Sequence, residues 1–267
     1  MSAVGSRVVL AEDLQGALFD VDGTLIDSMP QFFPSWVEWG KPLGLTITED
    51  DFYGYSGWPM PDILRDIYES QKGVKVNDDF VQQLLKEYKA IHDRRMKEVG
   101  PPAPIAATVA KAREHAAAGV KVMAATSGLR ETVEMHLREV GLSDLFPPER
   151  IVCAADVAPG RGKPKPDIFL RAAEVAGVDP KRCVAYEDAE AGFEAAWRAG
   201  CQVVDVRDFE GYPCPAALKR AMVKERARRS WLQEEDDRPG ESSEAQAKRA
   251  KLEHEAVNGA AAAQVGS

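Results

Sequence analysis

The chain has 267 residues, a formal net charge of −9, and 45% hydrophobic against 29% charged residues. That balance suits a soluble globular protein with a sizeable core, and its acidity argues against nucleic acid as a general partner, because phosphate backbones need a positive surface. No run of about 18 apolar residues occurs, so no membrane span is expected; residues 1–14 lack the basic start and apolar run of a secretory signal, which makes a cytoplasmic protein the default expectation.

The first clear element is Gly16-Ala17-Leu18-Phe19, a short apolar run that ends abruptly in Asp20. Residues 29–99 contain no convincing core strand. Phe32, Phe33, Trp36 and Val37 suggest a helix entered through Pro30, and Phe80, Leu84, Tyr88 and Ile91 share one face of another, with Asp78 or Asp79 as its cap. The stiff linker Gly100-Pro101-Pro102-Ala103-Pro104 follows. From there, helical stretches near 106–118, 129–140, 167–176 and 189–199 alternate with apolar runs at 120–125, 151–153, 183–186 and 202–206. Near-continuous apolar runs fit parallel strands buried on both faces. The alternation predicts an α/β fold, a Rossmann-like doubly wound parallel sheet with an inserted α-helical cap domain. The expected core is 14–28 with 100–215, and the expected cap is 29–99. Residues 216–267 read as a basic helix with a disordered tail. The basic run 219–229 could alternatively dock an acidic protein partner, anchored by Trp231.

The four cysteines, Cys153, Cys183, Cys201 and Cys214, form no C-x-x-C pair and read as reduced thiols. The four histidines, His92, His115, His136 and His254, show no zinc-ligand spacing.

Four motifs at strand ends carry chemistry. Asp20-Val21-Asp22-Gly23-Thr24-Leu25 puts two carboxylates where a strand ends, the place where open α/β sheets bind ligands. One could attack phosphorus as a nucleophile and the other could shuttle protons, although Asp-x-Asp-Gly also makes an ordinary turn. Thr126-Ser127-Gly128 offers hydroxyls and free amides before a helix, which suits a phosphate group, though Ser and Thr are also common helix caps. In Gly162-Lys163-Pro164-Lys165-Pro166-Asp167 a lysine held between glycine and proline could neutralise phosphate charge. Glu187-Asp188 would be costly to bring near Asp20 and Asp22 without a cation, unless Asp188 merely caps a helix. Oxygen-only donors point to Mg²⁺ rather than zinc.

In this order the four motifs resemble the haloacid dehalogenase superfamily, and within it the β-phosphoglucomutase-like phosphatases with a helical cap; the likeness covers roughly residues 16–206. It implies Asp20 as nucleophile, Asp22 as general acid and base, and Thr126 as the phosphate-binding hydroxyl. Lys163 matches the family lysine better than Lys165, because the family pattern reads Lys-Pro-x-Pro-Asp. Glu187 and Asp188 would hold the metal with a carboxylate oxygen of Asp20 and the main-chain carbonyl of Asp22. Ser127, Gly128 and the cap residues Tyr55 and Trp58 are the further substrate-binding candidates; Tyr55 and Trp58 could instead simply pack the cap against the core. Residues 26–30 and 99–104 would be the hinges of the cap. The expected substrate is a small phosphorylated metabolite such as a sugar phosphate. Dehalogenases lack the second aspartate, so Asp22 favours phosphate ester chemistry. Mutase members carry a histidine and an arginine where Phe32 and Gly57 stand here. A sugar-phosphate mutase is therefore the alternative activity, and a non-catalytic binding protein on the same fold is a third.

Overall fold

The computed structural model describes residue 9 and residues 11–226. In chain order the elements are β1 (Gly16–Phe19), β2 (Ile26–Asp27), α1 (Met29–Gly40), α2 (Glu49–Gly54), α3 (Met60–Lys72), α4 (Asp78–Val99), β3 (Ala103–Pro104), α5 (Ala106–Ala117), β4 (Lys121–Ala125), α6 (Arg130–Glu139), β5 (Ile151–Val152), α7 (Asp167–Ala176), β6 (Cys183–Glu187), α8 (Glu190–Ala199), β7 (Gln202–Asp205) and α9 (Ala216–Arg226). The apolar runs of the sequence form a five-stranded parallel sheet ordered β5-β4-β1-β6-β7. β1 is central, with Phe19 opposite Ala124 on one side and Tyr186 on the other. The chain fills one side of β1 and then crosses back to fill the other, so the strand order reverses at the end of β1. Ligands bind at such a switch point.

Both sheet faces are buried, as uninterrupted apolar strands require. Ala17 and Phe19 share a cluster with Val122, Ala124, Val184 and Tyr186, under Ala112 of α5 and Val133 and Leu137 of α6. The intervening residues Leu18, Met123, Ala185 and Val203 are equally buried, on the opposite face by the two-residue period of a strand. α7 and α8 pack against the sheet and against each other.

Helices α1 to α4 form the insertion. The segments that leave and rejoin the core are hydrogen-bonded to each other: β2 pairs antiparallel with β3, Ile26 opposite Pro104 and Asp27 opposite Ala103. The expected hinges are therefore one ribbon rather than two free linkers. Trp36, Trp39, Phe52, Ile63, Leu64, Leu84 and Tyr88 fill the interior of these helices. Thr48 and Asp51 make a reciprocal capping box on α2. α4 is capped by Asn77, whose side chain accepts from the Phe80 amide. Asp78 and Asp79, the expected caps, occupy its first turn, where carboxylates favour the helix dipole.

α9 departs from the solvated helix expected for the basic segment. Ala217 and Leu218 are buried in the cluster of the inserted helices. Arg220 reaches Asp50 of α2 at 2.6 Å. At the other end of α9, Arg226 reaches Asp205 at 3.0 Å and Asp208 at 2.7 Å, while Glu225 accepts from Arg207 at 2.7 Å. The helix thus ties the insertion to the end of β7. Two basic side chains of the run 219–229, Arg220 and Arg226, are engaged inside the chain. Trp231 and the tail lie outside the described residues. Cys153, Cys183 and Cys201 are buried free thiols, and Cys214 is partly buried. Among the described residues no helix is long and apolar enough to cross a membrane.

The Arg207 guanidinium is fully buried against Asp205 at 2.8 Å. Removing one partner of a buried pair leaves an uncompensated charge, which costs about 3–5 kcal/mol. Arg207→Met should therefore lower the stability of the chain by about that amount in urea unfolding; an unchanged midpoint would contradict this role for α9 and its anchor.

Candidate active site

Apolar β1 ends where its neighbours still bond to it: the Asp20 amide donates to the Tyr186 carbonyl at 3.0 Å, one step beyond the strand. The chain then turns tightly, with the Leu25 amide donating to the Val21 carbonyl and the Gly23 amide to the Ile26 carbonyl. Gly23 has φ of +82°, and a Cβ there would overlap the Asp188 carboxylate. Both facts demand glycine at this position. The turn sets Asp22 beside Ser28, whose hydroxyl donates to it at 2.7 Å, and Thr24 beside Asp188, to which its hydroxyl donates at 2.9 Å.

Lys163 comes from the loop before α7. Its fully buried ammonium donates to Asp20 Oδ1 and to Glu187 Oε1, both at 2.5 Å. Glu187 ends β6, and its second oxygen accepts from the Asp188 amide at 3.1 Å and the Ala189 amide at 3.4 Å. Its side chain occupies the space a Cβ on Gly192 would take. Asp188 does not cap α8; the N-cap position is Ala189.

Oxygens of Asp20, Glu187 and Asp188 all lie within 4.8 Å of one another, and all three residues are buried. Four carboxylates, counting Asp22, face one ammonium. Burial raises Asp20, against the opposing pull of Lys163. Burial pushes Asp22 up to about 7 and Glu187 up to about 7. It raises Asp188 well above the usual carboxylate range, helped by the charges of Asp20 and Glu187. Burial opposes the charge on Lys163, yet Asp20 and Glu187 hold its ammonium above its ordinary value. An all-oxygen donor set with excess negative charge fits a hard divalent cation.

Thr126 follows β4 directly. It is buried, and its hydroxyl accepts from the Gly128 amide at 3.0 Å. Ser127 points the other way: its hydroxyl donates to the Gly57 carbonyl at 2.9 Å, bridging core and insertion above the site. A cavity of about 120 Å³ opens here, with Asp20, Asp22, Thr126 and Gly128 on the core side and Tyr55 and Trp58 on the other. The Tyr55 hydroxyl donates to Asp66 at 2.5 Å, and Trp58 is 41% exposed. Thus Asp20, Asp22, Thr126, Ser127, Gly128, Tyr55 and Trp58 share the cavity wall, while Lys163, Glu187 and Asp188 cluster behind Asp20.

Sequence reasoning missed Ser28, Thr24, Gly192 and His92. Thr24 acts through Asp188, far away in the chain, while Ser28 and Gly192 act through Asp22 and Glu187, six and five residues away, contacts set by how the chain turns between them and marked by no local pattern. His92 lines the cavity from α4; its sequence context, a lone histidine without zinc-ligand spacing, does not mark it.

Two outcomes test this geometry. Without divalent ions, the folded chain retains protons on Asp22 and Glu187 up to about 7, whereas the unfolded chain releases them near 3.8 and 4.5. Stability in EDTA should therefore fall as pH rises from about 4 to about 7, and stability rising across that window would contradict the buried excess of charge. Gly192→Ala, which forces Glu187 to move, should cost about 10- to 100-fold in metal affinity, the range for disturbing groups that orient metal ligands; wild-type affinity by calorimetry would show that Glu187 is not held there.

The family model for haloacid dehalogenase-like hydrolases matches residues 17–206. Among curated proteins, the chain is 30% identical to hexitol phosphatase A of Escherichia coli K12, over 72% of this chain and 82% of that protein. It is also 30% identical to fructose-1-phosphate phosphatase YqaB of the same organism, over 73% of this chain and 98% of that protein. Among solved structures, β-phosphoglucomutase from Clostridium difficile superposes with a TM-score of 0.63 at 20% identity, covering 84% of this chain and all of that one, a likeness of fold. Matched by the family model over most of its length, and with the fold and strand-end acids described above, the chain belongs to the haloacid dehalogenase-like hydrolases and is a phosphoric monoester hydrolase.

Proposed function

We propose that this hydrolase is a Mg²⁺-dependent phosphatase that works through an aspartyl-phosphate on Asp20. The observation that carries it is the pairing of Asp20 with buried Lys163 beside two further acids, with Asp22 on the same cavity wall and held up to about 7. An oxygen of Asp20 attacks phosphorus as the bond to the leaving oxygen breaks. Asp22, able to carry a proton near neutral pH, hands it to the leaving alcohol. Asp22 then takes a proton from a water, whose oxygen attacks the phosphorus of phospho-Asp20 and releases inorganic phosphate. Ser28, bonded to Asp22, holds that carboxyl in place for both transfers. The Thr126 hydroxyl and the amides near Gly128 receive the phosphoryl oxygens, and Lys163 offsets their charge. Mg²⁺, held by Asp20, Glu187, Asp188 and the Asp22 carbonyl, would supply further charge stabilisation when bound.

The substrate is a small phosphomonoester of the metabolite class on which the two bacterial phosphatases act by name. No lysine or arginine is among the residues lining the cavity. A second phosphate on the substrate would lack a counter-charge there, which favours hydrolysis of a monophosphate over a mutase that works through a bisphosphate.

Phosphate release should require Mg²⁺, stop in EDTA, and be lost in Asp20→Asn. Asp22→Asn should still be phosphorylated by a substrate with a good leaving group, yet hydrolyse the phosphoenzyme slowly, so that phosphorylated Asp20 accumulates in intact-mass spectra. Substantial turnover by Asp20→Asn, or phosphorylation at another residue, would overturn the nucleophile.

A further inference from the structure

The turn that carries Asp22 is pinned from inside and from outside. Gly23 sits within it at φ of +82°, and a residue without a Cβ does little by itself to fix the peptide units on either side. Inside the turn, the Gly23 amide donates to the Ile26 carbonyl at 2.8 Å and the Thr24 amide to the Val21 carbonyl at 3.2 Å. The Gly23 carbonyl takes its hydrogen bond from outside: the Tyr212 hydroxyl donates to it at 2.7 Å, from 189 positions away in the chain. The two peptide units that meet at Gly23 lead to Asp22 on one side and on the other to Thr24, whose hydroxyl holds Asp188. A rotation about Gly23 would therefore move both groups.

Tyr212 is itself held firmly. Its amide donates to the Phe209 carbonyl at 3.1 Å, and its ring packs against both the sheet cluster that contains Phe19 and the cluster of the inserted helices. The segment it belongs to is closed at its base, where Arg207 meets Glu225 and Arg226 meets Asp208, each at 2.7 Å. Further along, Ala217 and Leu218 are buried among the inserted helices, and Arg220 reaches Asp50 at 2.6 Å. A hydroxyl on a ring so constrained is a fixed point against which a turn can be set. A buried tyrosine hydroxyl ordinarily finds a partner; here the partner is the carbonyl next to Asp22. Tyr212 is not among the residues that line the cavity, so its effect on the reacting groups passes through the turn.

We propose that Tyr212 is a positioning residue for this hydrolase: its hydroxyl fixes the Gly23 carbonyl and thereby the pose of Asp22, so that the segment after β7 completes the catalytic turn from outside. The inference rests on the phosphatase reading, in which Asp22 activates the water that attacks phospho-Asp20. Asp20 is held independently at the end of β1, through its amide on the Tyr186 carbonyl. Loss of the Tyr212 hydroxyl therefore falls on the step that needs Asp22 more than on the attack by Asp20.

The test uses the full chain with Mg²⁺ and 4-nitrophenyl phosphate, whose leaving group departs without a proton, so that hydrolysis of phospho-Asp20 limits turnover. Tyr212→Phe keeps the packed ring and removes one oxygen. Rapid-quench intact-mass spectra give the first-order decay of phospho-Asp20, a rate constant to which only folded molecules contribute. The decay should slow by about 10- to 100-fold, since a misplacement of about 1 Å can cost about 100-fold. Steady-state kcat should fall with it, while kcat/KM, set by the attack of Asp20, changes little. A variant that is merely less well folded loses kcat and kcat/KM equally and shows wild-type decay; that result, or decay and kcat both unchanged, overturns the inference and leaves the phosphatase intact. A wild type in which no phospho-Asp20 forms overturns both.

Discussion

Four carboxylates converge on the end of one strand with a single buried ammonium among them. Coulomb repulsion at these separations is large in a poorly hydrated interior, and each acid is held by a hydrogen-bond donor that the fold brings to it. Asp20 and Glu187 share Lys163. Asp188 takes the Thr24 hydroxyl, and Asp22 takes the Ser28 hydroxyl. None of these removes the excess of negative charge; a divalent cation would. The same arrangement that makes the metal-free core costly would ready it for the proposed Mg²⁺ and for a phosphoryl group carrying further negative charge.

The sheet exists to hold that crowd. β1 places Asp20, β4 places Thr126, and β6 places Glu187 and Asp188, because these strands are neighbours in one parallel sheet and end on the same side. Glycine supplies the close approaches: Gly23 under Asp188 and Gly192 against Glu187. The insertion covers the site, with the Ser127–Gly57 hydrogen bond joining the two directly over it, and α9 bonds to both the insertion and the end of β7. A cover anchored in this way sets the aromatic side chains Tyr55 and Trp58 across the cavity from Asp20.

Much of this is legible in the sequence for a physical reason. A strand buried on both faces is an unbroken apolar run, so the charged residue that ends it is conspicuous, as with Phe19-Asp20 and Tyr186-Glu187-Asp188. The alternation of such runs with helical stretches carries the doubly wound topology. Contacts that depend on how a turn or strand end closes are harder to read. Nothing around Ser28 announces that it will bond Asp22, and Gly192 looks like any small residue in an alanine-rich helix. The role of α9 was hidden for the opposite reason: a run of basic residues looks solvated until Asp50, Asp205 and Asp208, far away in sequence, are seen to meet it. Asn77 displaced Asp78 as the cap of α4 because only the residue just outside the first turn can reach back to the free amides.

The most direct measurement is thermal unfolding of the full chain at pH 8, with Mg²⁺ and with EDTA, beside Asp188→Asn. If excess buried charge governs the site, Mg²⁺ stabilises the wild type, by about 2.7 kcal/mol when the free ion exceeds its dissociation constant a hundredfold. Asp188→Asn in EDTA is then more stable than the wild type in EDTA, and it responds little to Mg²⁺. A wild type indifferent to Mg²⁺, or an Asp188→Asn that is weaker in EDTA and keeps the full response, would contradict the account.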